Sequence, residues 1–480
     1  MSFGSQFRLS LRSFLSSRSL KDVAWNFSGP VITTVILVLL APLYIKFVGL
    51  PRYGVLTVLW VFLAYFGLMG LGLARAAANL CAKTDDVKEI SEIFVSTNLF
   101  NMIFGAIFGV IFFLIYGSVL PVIVNATPDI EKEFLAAGPW LAAFLPFAAA
   151  SGVLGGVLEG RRHFALSNQI QTLGTILFQA TPFLVAFFYS NSLDVMIPVA
   201  LVVRAGVILA GACATVRVLS IDLNCRFNFK LIRQMSSFGG WVSLGGIISP
   251  IIMTVDQFII SARIGSSFLP YYSISNSLIQ RIHIFPLAVF RTIYPRISKL
   301  SEMEARALSE RSVKILSHII TPAIIVGIFL VSTVLTIWLG AEFSQKATLP
   351  SQILLVGIWF NGLALMPFAL LEGQGRPDLP VKYHLLELPF YLAGLLVGLQ
   401  VAGIAGAAAA SALRMAFDAL LLVSAARFSR RTITGLGVSA AAVCAGFVVA
   451  NLQLSFAAVW ASAVSILALW ALWVGVTRDW

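Results

Sequence analysis

The feature that most constrains the fold is a series of apolar segments about 20 residues long, the length that crosses a bilayer as a helix. They follow one another from residue 26 to residue 476. Hydrophobic residues make up 59% of the 480 residues and charged residues only 11%. That is too little charge to cover the surface of a soluble domain of this size. The sequence therefore predicts an all-α polytopic membrane protein and excludes a water-soluble enzyme.

The apolar segments predict about fourteen transmembrane helices. They fall into two sets of six helices, followed by a final pair. The predicted spans lie near residues 26–48, 54–80, 95–122, 135–158, 167–189, 193–216, 237–262, 268–294, 315–340, 348–371, 382–402, 404–426, 432–451 and 454–476. We divide the chain into a basic amino-terminal segment 1–25, an amino-terminal lobe 26–218, a linker 219–236, a carboxy-terminal lobe 237–429, and a last pair of helices with a short tail, 430–480.

The distribution of positive charge predicts how the chain is oriented in the membrane. With the amino terminus in the cytoplasm, most of the 33 Lys and Arg residues fall in cytoplasmic segments, as the positive-inside rule requires. Both termini are then cytoplasmic, and the first span is retained instead of being cleaved as a signal peptide. The net charge of +12 records this orientation and does not indicate binding to nucleic acid.

The extramembrane segments and the cysteines limit the chemistry that this chain can perform. No segment between spans is long enough to fold by itself, so binding chemistry must lie within or between the helices. This disfavours a polytopic glycan polymerase or ligase, which would carry a long loop with Arg, His or acidic residues. The four cysteines lie singly, so neither a disulfide framework nor a metal site is predicted, and no cofactor is expected.

Short motifs along nearly the whole chain resemble those of a known transporter family. In the first half they are Pro42, the turn Gly49…Tyr53-Gly54, and GLGLARA (70–76). In the second half they are DQFIISARIGSSFLPYYSISNSLIQ (256–280), YPRIS (294–298) and LLEGQGRPD (370–378). Together they resemble the bacterial polysaccharide flippases, the O-antigen or Wzx-type branch of the multidrug/oligosaccharidyl-lipid/polysaccharide (MOP) exporter superfamily.

The resemblance implies a fold, a cargo and partners. In such relatives two six-helix lobes face each other in a V around a central cavity, which opens alternately to each side of the membrane. The cargo is an undecaprenyl-diphosphate-linked oligosaccharide that moves from the cytoplasmic to the periplasmic leaflet of the inner membrane. A polysaccharide polymerase and a chain-length regulator are the implied companions. One departure is Leu68-Met69, where the family often has an acid, so no role of that carboxylate is carried over.

Arginines within the spans are the candidates for binding such a cargo, because a diphosphate cannot cross hydrocarbon without cationic partners. At about 1.5 Å per residue, Arg204 lies roughly 16 Å into its span and Arg281 roughly 20 Å into its span, in opposite lobes. We expect both to line the cavity; the alternative is that they extend to an interface or pair with acids. Arg75, at the inner end of the second span, is a candidate either for the cytoplasmic entrance or for an orientation anchor.

Asp256 is the candidate for coupling transport to a proton or sodium gradient, because it lies within an otherwise apolar span. The other interpretation is a structural ion pair with Arg263, seven residues further on and on roughly the same helical face. The sequence favours the pair, since a nearby Arg keeps a carboxylate ionised. Glu387, Arg414 and Asp418 are predicted to form a second structural cluster of ion pairs, with a cavity-lining role as the alternative.

The leading hypothesis is a flippase for surface polysaccharide, whether O-antigen, capsule or exopolysaccharide. A lipid II flippase has the same implied fold, and the charge pattern does not exclude it. A cation-coupled multidrug exporter of the same superfamily is less favoured. Such exporters commonly use an acid in the amino-terminal lobe, and the first six spans contain no clearly intramembrane Asp or Glu.

Overall fold

The computed structural model describes the main chain of residues 17–69, 71–238, 240–452 and 456–477. In these ranges it describes the side chains except those of residues 17–28, 30, 31, 65–69, 71, 72, 75, 234, 236–238, 240–251, 456, 459, 476 and 477. The described main chain forms helices joined by short turns and contains no strand. The chain divides into two compact units, Met1–Ile251 and Ile252–Trp480.

The first unit contains helices α1 to α8, and α9 runs across the division between the units. These helices are α1 (Ser17–Phe47), α2 (Leu50–Met69), α3 (Leu71–Cys81), α4 (Val87–Val124), α5 (Pro128–Gly160), α6 (Phe164–Phe188), α7 (Leu193–Val218), α8 (Phe229–Phe238) and α9 (Gly240–Ile264).

The second unit contains the end of α9 and the remaining helices. They are α10 (Leu269–Ile279), α11 (Ile284–Ile297), α12 (Glu302–Leu339), α13 (Ala341–Gly373), α14 (Asp378–Ala426), α15 (Arg430–Ala450) and α16 (Phe456–Thr477). Two 3₁₀ turns, Ser266–Phe268 and Gln280–His283, precede and follow α10.

The predicted class, an all-α polytopic membrane protein, is confirmed. Every predicted span overlaps a described helix or a pair of helices, and the eleventh and twelfth spans share one helix, α14. Eight helices in the described part of the chain are long and apolar enough to cross a membrane: α4, α5, α6, α7, α12, α13, α14 and α15. Shorter apolar stretches lie at Ile32–Phe47, Leu50–Ala64 and Trp460–Gly475.

One helix in each unit is much more buried than the other long spans. In both α5 and α13, 67% of the most apolar window is buried within the protein, whereas α6 and α15 reach only 17%. The helix α5 is the fourth predicted span and α13 is the tenth, so each has the same position in its set of six. The most buried long helix thus has the same position in the helix order of each set, which supports a similar arrangement of helices within each unit.

The eleventh and twelfth predicted spans form a hairpin within α14. The helix is interrupted at Ala402 and Gly403, where Gly403 has φ = +56°, a conformation that residues with a side chain rarely adopt. The two arms then pack closely, since a Cβ on Gly406 would lie 1.8 Å from the carbonyl oxygen of Gly398. Only residues without a side chain permit this approach, and the hairpin brings distant residues of α14 side by side.

The eighth predicted span, 268–294, is not one continuous α-helix. It consists of α10 and α11 with the 3₁₀ turn Gln280–His283 between them. Pro286 follows this turn, and it has no N–H to donate to the carbonyl of Ile282, so a regular α-helix is interrupted there. Arg281 lies within the turn.

The segment after α7 is held against α4. The N–H of Asp222 donates to Ser91 Oγ at 3.0 Å, and the N–H of Asn228 donates to Ser96 Oγ at 3.0 Å. The amide of Asn228 also donates to Glu92 Oε1 at 3.1 Å. The first part of the predicted linker 219–236 is therefore docked on the first unit.

Candidate functional site

Asp256 is the centre of a buried polar site in the second unit. Its side chain, on α9, is 3% exposed. Its Oδ1 accepts the N–H of Gln257 at 2.8 Å, and its Oδ2 accepts a short hydrogen bond from the hydroxyl of Tyr272 on α10. The hydroxyl of Ser411 on α14 lies 3.5 Å from the same Oδ2. Three helices thus converge on one carboxylate.

Ser411 joins two tyrosines in this site. Its Oγ lies 3.0 Å from the hydroxyl of Tyr272 and 3.0 Å from the hydroxyl of Tyr391. Tyr391 and Ser411 belong to opposite arms of the α14 hairpin, so the turn at Gly403 places them together. The guanidinium of Arg414 lies over the ring of Tyr391, 5.2 Å from its centroid, a cation–π arrangement.

The structure corrects the expected pairing of Asp256 with Arg263. Arg263 is exposed, and in the described part of the chain it forms no ion pair with Asp256. Seven residues along a helix correspond to about 10 Å of rise, which is beyond the reach of a salt bridge. The carboxylate is bonded instead by hydroxyl groups of other helices.

Glu387, Arg414 and Asp418 lie together, as their positions on the α14 hairpin require. Arg414 Nη1 is 3.8 Å from Glu387 Oε2, and these two side chains are almost completely buried. His384 Nε2, on the same arm as Glu387, is 3.8 Å from Asp418 Oδ1. The sequence pattern does not single out His384.

The two ion-pair contacts of this cluster, both at 3.8 Å, are longer than hydrogen bonds. By geometry, both carboxylate oxygens of Glu387, Nε of Arg414 and Oδ1 of Asp418 lack a hydrogen-bond partner among the described residues. Buried charges at such distances are poorly compensated for their loss of hydration. The expected self-satisfied structural cluster is therefore only partly realised: the groups are gathered, but they do not saturate one another.

A small polar cavity connects Asp256 with Arg414. Its volume is about 10 Å³, close to the smallest volume that holds one water molecule. Asp256 and Arg414 thus line the same small polar cavity. The polar residues that line it are Asp256, Tyr272, Asn276, Gln280, Asn361, Tyr391, Ser411 and Arg414.

In the first unit, Arg204 faces neighbouring helices. It lines a cavity of about 20 Å³ together with Ser151 of α5 and Gln171 of α6. A Cβ on Gly174 of α6 would lie 2.0 Å from Arg204 Nη1, so the guanidinium packs directly over that glycine. Within the described chain, Arg204 has no acid in salt-bridge contact.

Arg281 and Arg75 complete the predicted binding residues. Arg281 is half-buried in the 3₁₀ turn between α10 and α11. No salt bridge to an acid engages it in the part of the molecule that the structure describes. Arg75 belongs to α3, and its side chain lies outside the described residues, so its role stays a prediction.

Comparison with known proteins identifies the family and the fold. Residues 47–348 match the family model described as "Polysaccharide biosynthesis protein". A Shigella flexneri protein named "Putative O-antigen transporter" is 26% identical over 405 residues, which cover 84% of this chain and 96% of the relative.

Two solved structures have the same overall fold. One is an inward-facing multidrug resistance MATE family transporter of the MOP superfamily, with TM-score 0.68 and 12% identity over 84% of this chain and 95% of that one. The other is the lipid II flippase MurJ in an inward closed conformation, with TM-score 0.69 and 11% identity over 95% of this chain and 98% of that one. At these identities the likeness shows the fold alone, which is that of MOP superfamily transporters.

Proposed function

We propose, from the premise that this chain belongs to the family of polysaccharide biosynthesis proteins, that it is a flippase for a lipid-linked oligosaccharide. It moves undecaprenyl-diphosphate-linked repeat units from the cytoplasmic to the periplasmic leaflet of a bacterial inner membrane by alternating access. Two findings support this: the relative named as an O-antigen transporter matches over 96% of its own length, and the fold is that of transporters. A polysaccharide polymerase would then use the delivered units, under a chain-length regulator.

The observation that carries the proposal is a pair of intramembrane arginines without acidic partners among the described residues, Arg204 and Arg281. An arginine already paired with a carboxylate would have little charge left for a phosphate. An unpaired cation within a span is energetically unfavourable. A bound diphosphate would provide the negative charge that such a cation lacks. Each guanidinium offers a fork of donors that matches phosphate oxygens. Arg75 would meet the headgroup at the cytoplasmic entrance.

Asp256 is the proposed site of ion coupling. It is a buried carboxylate surrounded by hydroxyl oxygens on two other helices. A proton on Asp256, or a sodium ion beside it, would replace or redirect the hydrogen bond from Tyr272. Because Tyr272 and Ser411 belong to α10 and α14, that change would alter how these helices pack on α9, which is the kind of step that links an ion gradient to movement.

Deletion of the gene in the source bacterium, followed by analysis of lipid-linked glycans, tests the proposed cargo. We expect undecaprenyl-linked repeat units to accumulate while surface polysaccharide is lost, with both effects reversed by the wild-type gene on a plasmid. Accumulation of lipid II would identify a lipid II flippase instead. Unchanged surface polysaccharide with altered dye efflux would identify a drug exporter.

Transport into vesicles under an imposed gradient tests the coupling. Wild-type protein should respond to a proton gradient or to a sodium gradient, whereas Asp256→Asn, which cannot become charged, should respond to neither. The variant Arg263→Gln is the matched control, because Arg263 is exposed and does not contact Asp256. Equal gradient dependence in wild type and Asp256→Asn would remove Asp256 from the coupling step.

A further inference from the structure

Two acids of α14, Glu387 and Asp418, face each other inside the second unit. They lie on opposite arms of the hairpin, which begins at Asp378 and ends at Ala426. At about 1.5 Å per residue, both are roughly 12–14 Å from the ends of their arms, within the predicted spans. The two residues are 1% and 4% exposed. The hairpin therefore holds two carboxyl groups at one depth and almost out of contact with solvent.

The two carboxyl groups lack a hydrogen between them. They lie within hydrogen-bonding reach of each other, but an ionised carboxylate can only accept hydrogen bonds. With both acids ionised, both oxygens of Glu387 and Oδ1 of Asp418 have no donor among the described residues. Buried acceptors without a donor are unfavourable. A single proton on either acid would provide a hydrogen bond to the other.

The charges around this pair also leave room for one proton. In the described chain, the charged groups that act on the two acids are Arg414 and, when it carries a proton, His384. Arg414 also acts on Asp256. With all these acids ionised, Arg414 would have to balance three buried carboxylates. Such an excess of buried negative charge is unfavourable, and buried carboxyl groups bind protons instead.

The geometry favours the acid pair over His384 as the place for this proton. The imidazole Nε2 is 3.8 Å from Oδ1 of Asp418, which is too far for a hydrogen bond. The carboxyl group of Glu387, by contrast, is within hydrogen-bonding reach of Asp418. The imidazole is also less buried than the two acids, with 20% of the side chain exposed. A proton shared by the acids therefore forms the better hydrogen bond.

Arg414 connects this pair with the ion site proposed at Asp256. Its Nη1 is 3.8 Å from Glu387 Oε2, and its side chain lines the small polar cavity of the ion site. The ionisable groups that share this lining are Asp256 of α9, Tyr272 of α10 and Tyr391 of α14. The helix α13 contributes the uncharged Asn361. A proton gained or lost by the pair would change the charge that Arg414 balances, and so its attraction for Asp256.

We propose that Glu387 and Asp418 form a proton-binding site that holds one shared proton at neutral pH. One carboxyl group donates to the other across the hairpin, and Arg414 balances the negative charge that remains. The site is separate from the one proposed at Asp256. Its part in transport, through Arg414, rests on the proposed function, whereas the presence of the proton does not.

Infrared spectroscopy of the purified full-length protein at neutral pH, in a detergent without ester groups, tests this proposal. Exposed acids are ionised at this pH, so a carboxyl carbonyl band that shifts in heavy water indicates a buried protonated acid. We expect this band in the wild-type protein and its loss in both Glu387→Gln and Asp418→Asn. The matched control is Asp378→Asn, which should keep the band, because Asp378 is an exposed acid of the same helix and pairs with Lys382.

Two further variants decide whether the proton belongs to the pair. The variant Asp256→Asn removes the other buried carboxyl group near Arg414, and His384→Gln removes the imidazole. Both should keep the band, because the shared proton lies on neither group. Absence of the band from the wild-type protein would overturn the proposal, as would its loss in Asp256→Asn or in His384→Gln.

Thermal unfolding distinguishes a shared proton from two separate ion pairs. An amide at either position provides the hydrogen that the proton provided, so Glu387→Gln and Asp418→Asn should each unfold within about 2 °C of the wild-type protein. The double variant leaves Arg414 without either acid of the pair and should unfold at a temperature at least about 5 °C lower. Losses in both single variants that add up in the double variant would overturn the proposal.

Both measurements are independent of the proposed cargo. They use neither a lipid-linked oligosaccharide nor an ion gradient. A missing band would therefore leave the flippase proposal standing, and failure of the flippase proposal would leave the band and the unfolding temperatures unchanged.

Discussion

The hydroxyl of Tyr272 donates a hydrogen bond to Oδ2 of Asp256 across the contact between α10 and α9. Both side chains are buried, at 0% and 3% exposed. The bond ties the first half of the broken eighth span to the carboxylate proposed for ion coupling. A change in the charge of Asp256 therefore directly changes its hydrogen bond with Tyr272.

We predict that Tyr272→Phe destabilises the protein by about 1–3 kcal/mol, because Asp256 loses a buried donor. Thermal unfolding of the purified protein in detergent measures this loss. The matched control is Tyr271→Phe, whose hydroxyl accepts a bond from the exposed Lys346 at 3.3 Å and should matter little. Equal unfolding temperatures for the two variants would contradict the role of the Tyr272 bond.

Gly174→Ala should impair export although it changes no charged residue. The added Cβ would lie 2.0 Å from Arg204 Nη1, so the guanidinium must leave its place. Surface polysaccharide, normalised to protein abundance in the membrane, is the measurement. Gly206→Ala is the control on α7, because its Cβ would meet nothing within 4 Å. If both variants export normally, the position of Arg204 has no importance for transport.

Arg281→Ala should abolish surface polysaccharide at normal protein abundance, because the proposed phosphate contact is lost. Arg281→Lys should retain part of the activity, since the charge remains while the forked donor geometry does not. Arg291→Ala is a suitable control, because Arg291 is an exposed residue of α11. Full export by both Arg281 variants would show that the cargo does not depend on this residue.

Arg414→Met should destabilise the second unit by about 3–5 kcal/mol, because it leaves buried acids without their cation. Adding Glu387→Met to it should restore part of the lost stability, since one uncompensated charge is removed at the same time. Chemical unfolding of the single and double variants provides a double-mutant cycle. Strictly additive losses would mean that the 3.8 Å contact between these residues carries no coupling energy.

Gly406→Ala should prevent the α14 hairpin from closing. Its Cβ would lie 1.8 Å from the carbonyl oxygen of Gly398, and main-chain atoms cannot move aside cheaply. We expect the variant protein to be present at low abundance in the membrane and to unfold at a lower temperature than the wild-type protein. Gly437→Ala in α15 is the control, because its Cβ meets nothing within 4 Å and alanine is the better helix former.

The sequence was sufficient for the class of fold and for the spans, because length and apolarity alone decide which segments cross a bilayer. The hairpin turn at Gly403 also fell where two predicted spans meet. The interruption at Gln280–His283 was not predicted. Apolar length is preserved through it, and a proline such as Pro286 also occurs in unbroken membrane helices.

Only part of the candidate site could be predicted from the sequence. Asp256, Glu387, Arg414 and Asp418 stand out because charge is rare in apolar segments. Their partners Tyr272, Ser411 and His384 do not stand out, because these residue types are common in membrane helices. Only the packing of the helices brings them close to the charged residues. The predicted pairing of Arg263 with Asp256 is wrong for the same reason. Sequence spacing indicates which residues share a face of one helix, but it does not predict contacts with residues of other helices.

The broken eighth span also has a consequence for how the chain is made. The 11 residues of α10 and the 14 residues of α11 extend about 17 Å and 21 Å at 1.5 Å per residue, so neither half crosses the bilayer by itself. The helix α13 packs along both halves and follows them in the chain. We therefore predict that α13 stabilises this part of the protein in the membrane, and that truncation of the nascent chain before Ala341 leaves α10 and α11 less well integrated.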